Sequence, residues 1–422
     1  MSLVYPCWTV QQSPLIASDA ISKLGSSLDA FIIGNEPDMY FPHKLRPNLK
    51  NYTERDYISE YRLVADSLIT TSAGDIRSLK LLAGPSSCCT WDLATLMEKG
   101  FLSEFRQYLK YVTLQHYPQN NCFGKHKYEI PYYMRHANVV ELGRWQQHGI
   151  EILRSDEANP RLAMSEFNSV SCGGIPGISD TFAVGALWTL DYALQMAAVG
   201  YTAAYLHTRE AGISYNIIDA PGYQTGGASR SWVTLPPYYA VLAGAEIFPQ
   251  GGGYITDIDL DESTTNPNST VAGYAVYDAK NTTLTKIVLF NFADAGGGVT
   301  RFAIPVNSTT AGRVTVKFLT ASSAKEKVNI AWGGQTFAGV SDGVIVEAKD
   351  QSWSTANQDI DCNNGCSVDI PGPGMAVVFL AGDSGRSAVR NWGGQLSFKT
   401  CLVSLISCAM GISLALGASW AL

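Results

Sequence analysis

Two glutamates each stand at the end of a short apolar run. Glu36 follows Ala30-Phe31-Ile32-Ile33 within Gly34-Asn35-Glu36-Pro37, and Glu166 closes Arg161-Leu162-Ala163-Met164-Ser165. Runs of this length read as buried strands, so each carboxylate falls at a strand's C-terminal end, the catalytic face of an α/β barrel. Two further strand-like runs lie between them, ending near Gly84 and His116. If the sheet closes, strands three apart bring both carboxylates to one mouth. Two carboxylates roughly 5–5.5 Å apart, one protonated and one ionised, are what retaining glycoside cleavage requires. Asn35 has a matching use as donor to a sugar 2-hydroxyl. A lone Glu at a strand end is more often a solvated residue or a helix cap. Two of them, one with an Asn beside it, are less easily assigned to solubility.

Other polar residues are weaker candidates. His116 and Tyr117 end a strand and face the same expected mouth, and His207 ends the last one. The remaining histidines, His43, His126, His136 and His148, have no ligand spacing, and the nine cysteines include no C-x2-C pair. No metal and no cofactor are expected. Gly339-Val340-Ser341-Asp342-Gly343 matches a nucleophile elbow in letters but has no helix after it, and reads as a turn. The Gly triplets at 251–253 and 296–298 read as linkers for the same reason.

The elements that must hold these residues fall into two textures. Strand-like runs at 30–34, 79–84, 111–116, 161–166 and 203–207 alternate with helical periods. One helix starts from Thr53, with Asp56 three residues on and the stripe Tyr57, Tyr61, Val64 and Leu68; another opens at Ser179-Asp180. This alternation predicts a parallel sheet with right-handed crossovers. From residue 254 to 380 the period drops to two, in runs at 271–277, 286–292, 313–318, 328–332, 344–347 and 376–380. That is the pattern of an antiparallel β-sandwich. The expected division is an α/β domain over 1–250, a sandwich over 251–381, a polar linker over 382–399 and an apolar tail over 400–422.

Composition narrows the partners. The 422 residues are 46% hydrophobic and 16% charged, with a net charge of −7, which argues for a well-buried protein and against nucleic acid or anionic lipid as partner. The uncharged tail has the length of a membrane span or of the removable part of a lipid-anchor signal, either of which would attach the chain to a membrane. Cys362 and Cys366 bracket a turn that a local disulfide can close, while Cys88-Cys89 cannot be assigned partners from sequence. Sequons at Asn51, Asn268, Asn281 and Asn307 give modest support for secretion.

Gly34-Asn35-Glu36-Pro37-Asp38 resembles the acid/base motif of hydrolases that place Asn-Glu after the fourth barrel strand and the nucleophile after the seventh. Ser165-Glu166-Phe167-Asn168-Ser169, Gly173-Gly174-Ile175-Pro176 and Ser179-Asp180-Thr181-Phe182-Ala183 are similar to the nucleophile region of glycoside hydrolase family 79, which holds β-glucuronidases and heparanases. Gln115-His116-Tyr117-Pro118 resembles its sixth-strand segment, and the likeness runs from residue 18 to 380. The resemblance implies a retaining hydrolase of β-linked glucuronic acid. Glu36 would be the acid/base, Glu166 the nucleophile, and Asn35 the 2-hydroxyl partner, with His116 and Tyr117 in the substrate site. Cys172-Gly173-Gly174 and Tyr215 match the positions that hold the uronate carboxylate, although heparanase has a glycine where Cys172 stands.

On this resemblance the fold is an incomplete (β/α)8 barrel, strands four to eight only, followed by the sandwich. Only about 29 residues precede the first strand, which leads to the expectation of a truncated, extracellular protein that is unstable or inactive as written. The rival readings are a related retaining glycosidase of other sugar or endo specificity, and an inactive carbohydrate-binding or cell-surface protein.

Overall fold

The computed structural model describes residues 10–221, 231–249, 252–279, 283–294, 298–304, 312–340 and 343–380, and the backbone alone of Ser2–Leu3 and Leu414–Ser419. The spacer and most of the apolar tail therefore lie outside the described residues, as do Asn281, Asn307 and part of the Gly339–Gly343 stretch. The chain divides into two compact units. One comprises residues 1–117, 144–167 and 200–206; the other comprises 118–143, 168–199 and 207–422.

The first unit is built on parallel strands in chain order: β1 (Ser2–Leu3), β2 (Phe31–Ile33), β3 (Leu82–Ser87), β4 (Leu109–His116), β5 (Arg161–Phe167) and β6 (Ala203–Thr208). Small side chains line one face, with Ala30, Ala83, Ala163 and Ala203 packed around Tyr111. The helix Glu54–Ser67 starts as expected: the Thr53 hydroxyl accepts from the Asp56 amide at 3.4 Å, and the Asp56 carboxylate accepts from the Thr53 amide at 2.8 Å. Its buried stripe puts Tyr61 against Phe105, with ring centroids 4.5 Å apart, and sends the Tyr57 hydroxyl to the Ile33 carbonyl at 2.7 Å. That last bond ties the helix to the end of β2, where Glu36 begins its loop.

The strand expected at 79–84 is displaced. Residues Arg77–Leu79 form a 3-10 turn, and β3 runs from Leu82 to Ser87, fully buried and straight through Pro85. The expected run stops at Gly84, one residue before Pro85. Here the proline lies inside the strand, just before an irregularity in the pairing with β4, where the ladder steps from Pro85↔Thr113 to Ser87↔Leu114.

In the second unit, residues Phe182–Val199 form a single apolar rod, π-helical to Trp188 and α-helical from Thr189, capped by the Thr181 hydroxyl rather than at Ser179-Asp180. It is long and apolar enough to cross a membrane, but 89% of it is buried in the protein. A short ladder joins β7 (Ile218–Asp219) to β8 (Val233–Thr234). The antiparallel strands are β9 (Gly253–Asp257), β10 (Val271–Asp278), β11 (Leu284–Asn291), β12 (Val299–Ile304), β13 (Arg313–Ala321), β14 (Ile330–Trp332), β15 (Gln335–Thr336), β16 (Val346–Glu347), β17 (Gln358–Asp361), β18 (Cys366–Pro371) and β19 (Gly374–Phe379). Their main sheet has the order β16-β15-β14-β13-β19-β11-β10-β9, with β17 also on β13, and β12 pairs with β18 separately. Alternate residues fill the core between them: Ile287 and Leu289 from β11, Phe302 and Ile304 from β12, Val314, Val316 and Phe318 from β13, Val368 and Ile370 from β18. The short polar β17 and the charged face of β12 are strands the period-two pattern did not reveal.

Candidate active site

Glu36 leaves β2 in a left-handed conformation (φ 50°) and caps a 3-10 turn, Pro37–Met39. Non-glycine residues adopt this conformation at a cost, which the surroundings must offset. Its amide donates to the Ser86 carbonyl at 3.0 Å, so the Glu36 loop is tied to the end of β3. Burial raises the Glu36 carboxyl to about 7, and the Glu166 charge, then that of Asp38, push in the same direction. The two candidate carboxylates therefore interact electrostatically, and one of them is held protonated near neutral pH.

Asn35, next in the chain, is oriented from two sides. Its amide N–H donates to the Tyr40 hydroxyl at 3.3 Å, and its side-chain oxygen accepts from Gln115 Nε2 at 2.8 Å. The carboxamide is thus fixed by its acceptor end, which leaves the donor end to be presented elsewhere.

Glu166 owes its direction to an irregular ladder. Along β4 and β5 the pairs step from Leu114↔Met164 to Gln115↔Glu166, so Ser165 is bulged out. The Ser165 hydroxyl satisfies the Leu114 carbonyl at 3.0 Å and meets the Ser86 hydroxyl at 2.9 Å. Bulges of this kind re-aim a side chain at a strand end. The Tyr117 hydroxyl donates to Glu166 Oε1 at 2.7 Å, which fixes the direction of that carboxylate. His116 turns to Trp145, stacking at 4.3 Å between ring centroids and 4° between planes. Burial lowers its pKa to about 3, so it is a neutral imidazole.

Asp38 was quoted in the motif but given no role, and it proves central to the loop. Its buried carboxylate accepts from the amides of Cys88 at 3.2 Å, Cys89 at 2.6 Å and Thr90 at 2.8 Å. Cys88 and Cys89 are disulfide-bonded to each other, the pairing the sequence left unassigned. Asp38, Cys88 and Cys89 lie close enough to share a metal ion, but both sulfurs are committed to the disulfide and the carboxylate to the amides. The clamp partners lie fifty residues away in the chain, beyond any local sequence pattern.

The remaining candidates lie in the second unit. Cys172 (φ 62°), Gly173 (φ 96°) and Gly174 (φ 75°) form a left-handed run. The Cys172 side chain is accommodated by a disulfide to Cys122, which the sequence did not indicate. The Gly173 carbonyl accepts from the Ser214 amide at 3.2 Å, and the Gly174 carbonyl from Asn121 Nδ2 at 3.0 Å. A Cβ on Gly174 would stand 3.0 Å from the Tyr215 ring, so glycine is needed there for room as well as for φ. Tyr215 is buried, and its hydroxyl lies 3.0 Å from His207 Nδ1. The anticipated Cys362–Cys366 disulfide is present.

Carboxylates at the C-terminal ends of parallel strands are the arrangement used by barrel-type glycosidases. The structure is similar to the 4-O-α-L-rhamnosyl-β-D-glucuronidase of Fusarium oxysporum (TM-score 0.66, 20% identity, 88% of this chain and 74% of that one). The α-L-arabinofuranosidase of Thermotoga maritima shares the fold more loosely (TM-score 0.55, 12% identity, 89% and 74%). A stretch of 161 residues is 28% identical to a β-glucuronidase of Neurospora crassa, covering 37% of this chain and 26% of that enzyme. Residues 273–377 match the glycosyl hydrolase family 79 C-terminal beta domain. The family-model match, the partial likeness to a β-glucuronidase and the likeness in fold together support glycoside hydrolase family 79.

Proposed function

We propose that this protein is a retaining β-glucuronidase with Glu166 as nucleophile and Glu36 as acid/base. The observation that carries the reading is the unequal pair: Glu36 held protonated to about pH 7 and Glu166 receiving the Tyr117 hydroxyl at 2.7 Å. In the first half-reaction Glu166 attacks the anomeric carbon while Glu36 gives its proton to the departing oxygen. The product is a glycosyl ester on Glu166. In the second, ionised Glu36 takes a proton from water, whose oxygen attacks the same carbon and releases Glu166. Asn35, held by Gln115 and Tyr40, donates to the 2-hydroxyl.

The uronate preference rests on the family and on the β-glucuronidases to which the chain is similar. In this reading β2 to β6 correspond to barrel strands four to eight. An extracellular setting is supported by three disulfides among the described residues.

The test is hydrolysis of a chromogenic β-glucuronide and the matching β-glucoside. Glu166→Ala should lower glucuronide turnover by about 10⁴-fold or more, and azide should restore it with formation of the α-glucuronyl azide. Unchanged turnover in the variant would remove Glu166 from the mechanism. Cleavage of the glucoside alone would replace the sugar while leaving the carboxylate roles in place.

A further inference from the structure

We propose that the turn closed by the Cys88–Cys89 disulfide is a positioning clamp for the acid/base Glu36, acting through the Asp38 carboxylate. The inference rests on the carboxylate roles above, and its geometry lies wholly within the first unit. Asp38 is two residues from Glu36, in the middle of the 3-10 turn that Glu36 caps. Three successive amides, those of Cys88, Cys89 and Thr90, converge on its carboxylate, and the Thr90 hydroxyl donates to the Asp38 carbonyl at 3.3 Å. The Ser86 carbonyl, two residues before Cys88, holds the Glu36 amide itself. The end of β3 therefore holds the acid segment at Glu36, and the turn directly after it holds the segment at Asp38.

The disulfide matters because of where this loop lies. Cys89 and Thr90 are exposed and sit just past the end of β3, where a chain is ordinarily free to move. Fixing several backbone residues there carries a conformational entropy cost. Joining adjacent side chains in a small ring removes much of that freedom before the amides are recruited. The clamp also fixes a negative charge near Glu36. The other titratable groups acting on or near Glu36 are Glu166 on β5 and Tyr40 at the end of its own turn.

A displaced acid has a chemical signature that general loosening lacks. Departure of 2,4-dinitrophenolate needs no proton, whereas departure of an alkoxide does. In Cys88→Ser/Cys89→Ser, kcat/KM on an alkyl β-glucuronide should fall about tenfold or more, while kcat/KM on 2,4-dinitrophenyl β-glucuronide, which reads the first half-reaction alone, stays within about twofold. Equal losses on both substrates, or no loss on either, would overturn the clamp.

Asp38→Asn, which keeps an oxygen for the amides, should retain alkyl glucuronide turnover better than Asp38→Ala. This pair serves if the serine variant does not fold. A ¹³C titration of the Glu36 carboxyl reads the clamp without turnover, so it holds even if the enzyme prefers another sugar. The midpoint should drop toward the ordinary carboxylate range in the serine variant, and an unmoved midpoint counts against the proposal.

Discussion

Burial lifts the Glu36 carboxyl from 4.5 to about 7, with Glu166 and then Asp38 adding to the effect. The same shift is a cost to the fold. A group that binds its proton more tightly when folded contributes stability fully below its unfolded pKa and loses that contribution as pH rises through the folded value. Between pH 4.5 and about 7 the ionising side chain therefore works against folding, by up to roughly 3 kcal/mol at the conversion of 1.36 kcal/mol per unit. Glu36→Gln, a near-isostere of the protonated acid, should match the parent in urea denaturation at pH 4 and exceed it at pH 8. Equal stability of the two proteins at pH 8 would mean that Glu36 is not buried at this cost. Gln115 sits close by in the same condition: it is buried, donates to Asn35, and leaves its own side-chain oxygen without a hydrogen-bond partner. Such an acceptor typically costs about 1–3 kcal/mol.

At the level of elements, the site depends on where strands depart from regularity. The Asn35-Glu36 and Glu166 positions were legible because an apolar run followed by a carboxylate is a local pattern, and the Thr53 cap because Thr and Asp three apart are one too. The irregularities at Ser86 and Ser165 were not legible. A period-two reading assumes an unbroken ladder, and it is the break that pairs Glu166 with Gln115. The Cys122–Cys172 link was hidden because pairing among many cysteines has no local signal. The helix Glu54–Ser67 offers a direct check on the legible part. Thr53→Ala removes the acceptor for the Asp56 amide and half of the reciprocal cap. The expected loss is about 1 kcal/mol in denaturant unfolding, with little change in kcat, since the cap touches neither carboxylate. A loss below the error of the measurement would show that tertiary packing alone fixes the helix start.

Over the whole molecule, residues far apart in sequence meet in buried polar networks, and one of these, in the second unit, centres on His136. His136 Nδ1 is 3.0 Å from Asp191 Oδ1, and its Nε2 is 2.8 Å from Asp257 on β9. The Tyr274 hydroxyl, from β10, donates to the same Asp191 at 2.6 Å. Burial alone would lower the His136 pKa. The Asp191 and Asp257 carboxylates outweigh it and raise the value to about 10. The ring is therefore an imidazolium between two carboxylates, linking the helix His136–Arg144, the apolar rod and the antiparallel sheet. Its stabilising contribution is fully present below about pH 6.5 and is lost as pH rises through about 10. His136→Gln keeps hydrogen-bonding capacity but cannot carry the charge. The stability gap between parent and variant should be several kcal/mol at pH 6, as expected when a buried charge pair loses one partner. It should narrow steadily from pH 8 to 10.5. Taking the difference between the two proteins removes the tyrosines that titrate in the same range. A gap independent of pH would show that His136 is neutral in the folded protein and that the two aspartates are held by something other than its charge.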